Sequence, residues 1–188
     1  MTSDSSQSLP PWRIRLRGAR EREGRQPTSR WLQLATVGLD GTPRVRTLVF
    51  RGWQGSDRLE LYTDARSEKF EELLQQPRVE LCWLLTKAKQ QYRLRGTWWP
   101  QEQNIHAERW TTLSPRGRAL WGWPAPGQPL ERDAAFPSEL DDSTDCPQHF
   151  VVLQLQINRA ELLDLSRHPH QRIRWSRDDD WQEQPLNP

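Results

Sequence analysis

Cysteine is almost absent. Cys82 and Cys146 are the only two, far apart and with no partner at metal-ligand spacing. A domain of 188 residues can bury a full core. A stapling disulfide is therefore not expected, and Cys82, inside the apolar run Val79–Leu85, reads as a small buried hydrophobe. Long hydrophobic runs are missing too. None approaches the roughly 18–20 residues needed to span a bilayer. The opening MTSDSSQSLPPW holds no stretch of signal-peptide length, so a cytoplasmic protein is expected. Charge of one sign is also lacking: 27 basic residues against 25 acidic ones leave +2, unlike the broad positive field of a duplex DNA binder. Histidines number four, and the one close pair, His168 and His170, is too little for a metal site. No internal repeat, Gly-rich P-loop or nucleophilic triad pattern is present.

Tryptophan, by contrast, is abundant. Mean hydropathy is only −0.94, yet 11 Trp argue against disorder, since disordered chains are poor in aromatics. Most are expected in the core or in an interface between subunits. Residues 1–10 are small and polar, a flexible lead-in, and residues 11–188 read as a single domain. Trp12, Leu16 and Ala19 share one face of a basic helix running to about Glu23. Strands follow at Arg30–Gly38 and Pro43–Trp53, around the Asp40-Gly41 hairpin turn, and at Arg58–Thr63. Ser67 is placed to cap a short helix carrying Phe70, Leu73 and Leu74. Arg78–Leu85 and Gln91–Trp99 are two further strands. A helical region then runs from Pro100 to about Trp121, broken near Ser114-Pro115. An irregular loop is expected over 123–148, followed by strands at His149–Ile157, Ala160–Leu165 and Gln171–Arg177. The pattern is mostly β, a β-barrel with peripheral helices.

Three constellations carry possible chemistry. In Arg44-Val45-Arg46-Thr47-Leu48-Val49-Phe50-Arg51, alternation puts Arg44 and Arg46 on the face of Leu48 and Phe50. A guanidinium on an apolar face needs an anionic partner, either a ligand or an internal acid. In Tyr62-Thr63-Asp64-Ala65-Arg66-Ser67-Glu68-Lys69 a strand ends and a helix begins, the setting in which free backbone N–H groups attract phosphate. Arg66 and Lys69 add charge there and Ser67 a hydroxyl; ordinary capping with solvated charges would leave the same sequence. Gln91, at a strand start, can donate and accept toward a heterocycle.

The order of these motifs, Arg-Thr-Leu-Val, then Tyr-Thr with Arg-Ser-x-Lys, then Gln91 before a strand ending in Gly96, resembles the FMN-binding split barrel of the pyridoxamine 5′-phosphate oxidase-like proteins. The resemblance covers about residues 12–99 and returns more weakly at 149–188. It implies a Greek-key-like split barrel, FMN as cofactor, and a homodimer with two FMN sites at the interface. Arg46 and Lys69 would hold the phosphate, with Arg66 and Ser67 nearby. Thr47, Leu48 and Val49 would run along the flavin, and Tyr62 and Thr63 beside the ribityl chain or phosphate. Gln91 and Gln128 would approach the ring or phosphate, and Arg172 would reach in from the second subunit.

The substrate side departs from the pattern. Arg51 stands where the family's oxidases use a lysine for the substrate phosphate, Trp110 replaces a tyrosine, and Ser114 falls where an arginine would be. Of a C-terminal Arg-x-His pair only His170 remains, and Pro185 replaces the arginine before the final Leu-x-Pro. Arg116 or Arg118 could partly compensate. The expectation is thus a flavin oxidoreductase with a rebuilt substrate site, contacted by Arg51 and His170. The alternatives are a non-catalytic FMN carrier and, from the clustered Arg and Trp, a single-strand nucleic-acid platform.

Overall fold

The structure is a computed structural model and describes residues 8–188, so most of the lead-in expected over 1–10 lies outside the described residues. Nine strands form one antiparallel sheet: β1 (Trp31–Val37), β2 (Pro43–Val49), β3 (Gly52–Gln54), β4 (Arg58–Asp64), β5 (Arg78–Leu85), β6 (Gln90–Trp98), β7 (Phe150–Asp164), β8 (Gln171–Ser176) and β9 (Gln184–Leu186). Their order is β2-β1-β5-β6-β7-β4-β3, with β8 paired to β7 and β9 to β8. Residues alternate strictly along β5 and β6, so Leu81, Trp83, Tyr92 and Leu94 are fully buried while their neighbours face outward. Cys82 is one of those neighbours. It is half-buried opposite Arg93 rather than in the core, because the alternation gives the inner face to Leu81 and Trp83. Both cysteines are free thiols.

The sheet closes on itself where the chain leaves β2. The Phe50 N–H still donates to Arg30 O at 2.7 Å, beside β1, while the next N–H, that of Arg51, donates to Glu60 O at 2.9 Å in β4. One residue thus carries the chain from one side of the barrel to the other. This splits the single strand expected over Pro43–Trp53 into β2 and β3. The opposite departure occurs at the C-terminal side, where the two strands expected around residue 158 merge into the 15-residue β7. The irregularity lies instead in its partner, at the register shift between Arg95 and Gly96. A Cβ on Gly96 would stand 2.6 Å from Gln156 O, so glycine is what lets the two backbones approach there.

Helix α1 (Pro11–Glu23) lays Trp12, Leu16 and Ala19 on the barrel, each no more than 1 % exposed. Trp12 meets Trp53 and Trp181 at ring separations of 5.7 Å. Helix α2 (Glu68–Gln75) follows β4. Helices α3 (Gln103–Thr111) and α4 (Pro115–Arg118) and the 3-10 turn Ala119–Gly122 form a second cluster, in which Trp110, Trp121 and Phe150 pack edge-to-face. Six tryptophans are buried in these two cores. Among the described residues no helix is long and apolar enough to cross a membrane.

Candidate functional site

A cavity of about 710 Å³ opens between the exit of β2, the end of β4, α2 and the loop after Trp121. One wall is strand: Thr47, Leu48 and Val49 from β2, then Arg51, with Tyr62 and Thr63 from β4. The facing wall comes from the irregular segment over 123–148 and is mostly apolar, with Trp123, Pro124, Pro126, Leu130 and Phe136. Gln128 lies in that wall. Such a volume, apolar with a few convergent polar groups, is ordinary for a cofactor site.

The polar end lies at the β4–α2 junction. Lys69 lines the cavity, and its Nζ donates to Thr63 Oγ1 at 3.0 Å and Ser67 Oγ at 2.9 Å, two neutral oxygens. Burial and then the Arg46 charge push the Lys69 ammonium below its ordinary pKa. Ser67 occupies the N-cap position expected for it, but its hydroxyl donates to Asp64 O at 2.6 Å instead of accepting from the helix. The first-turn amides of α2 therefore have no side-chain cap. Asp64 is claimed by Arg66, through the Arg66 N–H at 2.8 Å and Nη2 at 2.7 Å. Burial opposes ionisation of Asp64, yet the bonds from Arg66 outweigh it and hold the carboxyl below its usual range. Arg66 Nη2 also donates to Trp123 O at 3.1 Å, tying the loop to the β4 end.

Arg46 has an internal partner: its Nη2 donates to the buried Glu72 carboxylate at 2.8 Å and its Nη1 to Thr36 Oγ1. Arg44 likewise pairs with Asp40 at 2.9 Å. Both strand arginines thus take the internal-acid alternative that their sequence allowed. Arg46 does not line the cavity but stands behind Lys69, close enough to repel its charge.

The structure brings Thr47, Leu48, Val49, Arg51, Tyr62, Thr63, Lys69 and Gln128 to one cavity, with Arg46, Arg66 and Ser67 joined to it through Lys69, Asp64 and the loop. It does not bring Gln91, Arg172 or His170 there. Gln91 pairs with Leu163 and Leu163 with Arg172, so both lie on the outer face of the sheet. Arg172 holds Glu161 at 2.8 Å, while the exposed His170 has its Nδ1 2.9 Å from Arg167 O. The suggested helper Arg118 is 4 % exposed and bonds Asp141 O and Asp142, so it anchors the loop. Trp110 is similarly engaged, its Nε1–H donating to Thr144 O at 2.8 Å. Asp64, Leu130 and Phe136 also line the cavity, positions that the motifs had not singled out. A Pro- and Gly-rich composition marks a loop but not the cavity it covers.

The sequence model of the FMN-binding domain of pyridoxamine 5′-phosphate oxidase matches residues 9–101. A pyridoxine/pyridoxamine 5′-phosphate oxidase 2 of Arabidopsis thaliana is 33 % identical over 165 residues, covering 82 % of this chain and 83 % of the relative. A pyridoxamine 5′-phosphate oxidase-related, FMN-binding protein of Nostoc punctiforme superposes with a TM-score of 0.87 at 34 % identity, over 96 % of this chain and all of that one. PhzG of Burkholderia lata, solved with tetrahydrophenazine-1-carboxylic acid, shares the fold at 21 % identity, with a TM-score of 0.80 over 98 % of this chain and 95 % of that one. The ordered strand and helix motifs, the split barrel they build and these matches agree: the chain belongs to the pyridoxamine 5′-phosphate oxidase-like family of FMN-binding domains.

Proposed function

We propose that this protein is an FMN-dependent oxidoreductase whose cofactor grip is kept and whose substrate grip is rebuilt. The observation that carries the reading is Lys69, a half-buried cation whose partners among the described residues are hydroxyls alone, set at the uncapped start of α2 and facing a largely apolar cavity. That donor set fits a phosphate: one ammonium, free amides and the Thr63 hydroxyl. The apolar walls beyond it fit a flat heterocycle. Lys69 and the α2 amides would hold the phosphate, Arg46 and Arg66 would add charge from behind, and Tyr62 and Thr63 would line the ribityl path. Thr47, Leu48 and Val49 would lie along the ring. Bound FMN supplies the hydride or electron transfer.

The chain's own residues would do the rest. Tyr62 stays a neutral phenol, since burial and then Glu60 raise its pKa. Among the described residues Arg51 presents a guanidinium with no carboxylate in contact, suited to an anionic part of the substrate. The loop wall excludes water from the ring face. Gln91 and Arg172 would serve the site of a second copy in a homodimer, which also explains their outer-face position, and His170 would lie with them.

The test is the purified protein. Absorbance bands of bound flavin and an FMN mass are expected, with bleaching by a nicotinamide donor or a screened amine in the absence of oxygen and recovery in air. A colourless protein that also takes up no added FMN would sink the reading. Bound FMN that no donor reduces would leave a flavin carrier instead.

A further inference from the structure

We propose that Glu72 is a positioning residue of the cofactor grip and its built-in counter-ion. It fixes Arg46 behind Lys69 and, by cancelling part of the grip's charge, sets how tightly the phosphate of the flavin is held. The inference rests on the flavin reading for the identity of the ligand that carries that phosphate.

Helix α2 turns one acid inward. Glu68 and Glu71 are exposed, whereas Glu72 is 3 % exposed. Its Oε2 accepts from the Thr36 hydroxyl of β1 at 2.5 Å and from Arg46 Nη2 of β2 at 2.8 Å. Thr36 Oγ1 accepts in turn from Arg46 Nη1, so the three side chains close a ring around the guanidinium. Lys69 lies three positions before Glu72 on the same helix. Side chains at that spacing are neighbours, about 5–6 Å apart at Cβ. The charge of Glu72 reaches Lys69: burial and then Arg46 lower the pKa of the ammonium, while Asp64 and then Glu72 oppose that.

At this end of the cavity three cations, Lys69, Arg46 and Arg66, meet two carboxylates, Asp64 and Glu72. One net positive charge remains, against roughly −1.5 to −2 on a phosphate monoester. The grip is undercharged for its ligand. Asp64 is used in ordering the junction, since it holds Arg66, which ties the loop through Trp123 O. Glu72 does not line the cavity. Nor does a buried ion pair add much to a fold, because apolar residues can fill the same space as well. What Glu72 supplies that an apolar residue cannot is a fixed direction for Arg46 and a buried negative charge. In surroundings of low dielectric that charge opposes a second anion nearby.

The experiment titrates FMN, riboflavin and inorganic phosphate into the full chain freed of flavin, read by calorimetry and flavin fluorescence. Glu72→Gln keeps an oxygen for Arg46 and Thr36 and removes only the charge. It should tighten FMN by about tenfold and tighten inorganic phosphate too, while riboflavin, which has no phosphate, stays within about twofold. A merely structural role would weaken both flavins together. Should Glu72→Gln alone fail to fold, Arg46→Gln with Glu72→Gln is compared with Arg46→Gln, and the double variant should bind FMN about tenfold more tightly. FMN binding that is unchanged or weaker on losing the Glu72 charge, at an unaltered unfolding midpoint, overturns the inference and leaves the flavin reading standing. Riboflavin tightened as much as FMN does the same. Protein that takes up neither flavin, yet holds phosphate more tightly in Glu72→Gln, overturns the flavin reading and leaves the role of Glu72 standing.

Discussion

Lys69 and Arg46 look alike in sequence and are not equivalent in the folded chain. Among the described residues Lys69 bonds only hydroxyls, so Lys69→Ala should lower FMN affinity by about 2 kcal/mol, one charge-assisted contact, with little change in unfolding midpoint. Arg46→Ala leaves Glu72 buried and unpaired, at 3 % exposure. It should cost about 3–5 kcal/mol of folding stability before any effect on the cofactor. Equilibrium denaturation beside an FMN titration separates the two; equal stability losses in both variants would contradict this assignment. Gly96 is decided by space. Its missing Cβ would lie 2.6 Å from Gln156 O and 3.2 Å from Ile157 Cδ1. Gly96→Ala should therefore destabilise by about 1–3 kcal/mol, measured as a lower denaturant midpoint at constant slope.

Among the elements, α3 is held by the Arg109–Glu60 pair, by Trp110 and by one titratable contact, that of His106. Strand β6 first meets β7 at Leu155, so the N–H of Val152, on the earlier stretch of β7, donates to His106 Nδ1 at 3.0 Å. The acceptor role requires a neutral ring with its proton on Nε2. Burial lowers the His106 pKa, so the folded state resists protonation more than the unfolded state does. Stability from this contact is complete above the unfolded histidine value of about 6.5 and falls as the pH drops through it toward the lower folded value. Chemical denaturation at a series of pH values should show that loss, and His106→Gln, which keeps an acceptor and cannot titrate, should abolish the difference across the window. The 123–148 segment is irregular yet fixed at several points: to Arg66 through Trp123 O, to Arg118 through Asp141 O and to Trp110 through Thr144 O.

At the scale of the whole molecule, the outer face of β6, β7 and β8 carries Glu161 surrounded by Arg93, Arg159, Arg172 and Arg174. With Glu80 and Arg95 beside them, two carboxylates meet five arginines and leave a positive surface in line with Gln91. On the dimer reading this surface meets the cofactor phosphate of a second copy. Arg172→Ala should then weaken FMN about tenfold while sedimentation still shows a dimer and the unfolding midpoint hardly moves, because three arginines remain on Glu161. Unchanged FMN affinity in that variant would remove Arg172 from the site.

Much of the fold was legible locally. The Asp40-Gly41 turn, with Gly41 at φ +79°, the alternation of β5 and β6, and the Trp12/Leu16/Ala19 stripe depend on neighbours in sequence. The same holds for the strand–turn–helix that carries Lys69. Strand ends were less legible, since the splitting of β2 from β3 and the continuity of β7 follow from which strand is met across the sheet. Sequence by itself determined the kinds of groups available, a basic helix start beside an apolar strand, and with them the family and its cofactor. Only the tertiary structure decided which cations were already spoken for. Arg46 found Glu72 and Arg118 found the loop, whereas Lys69, among the described residues, was left without a carboxylate. Pairing of charges distant along the chain is set by closure of the barrel.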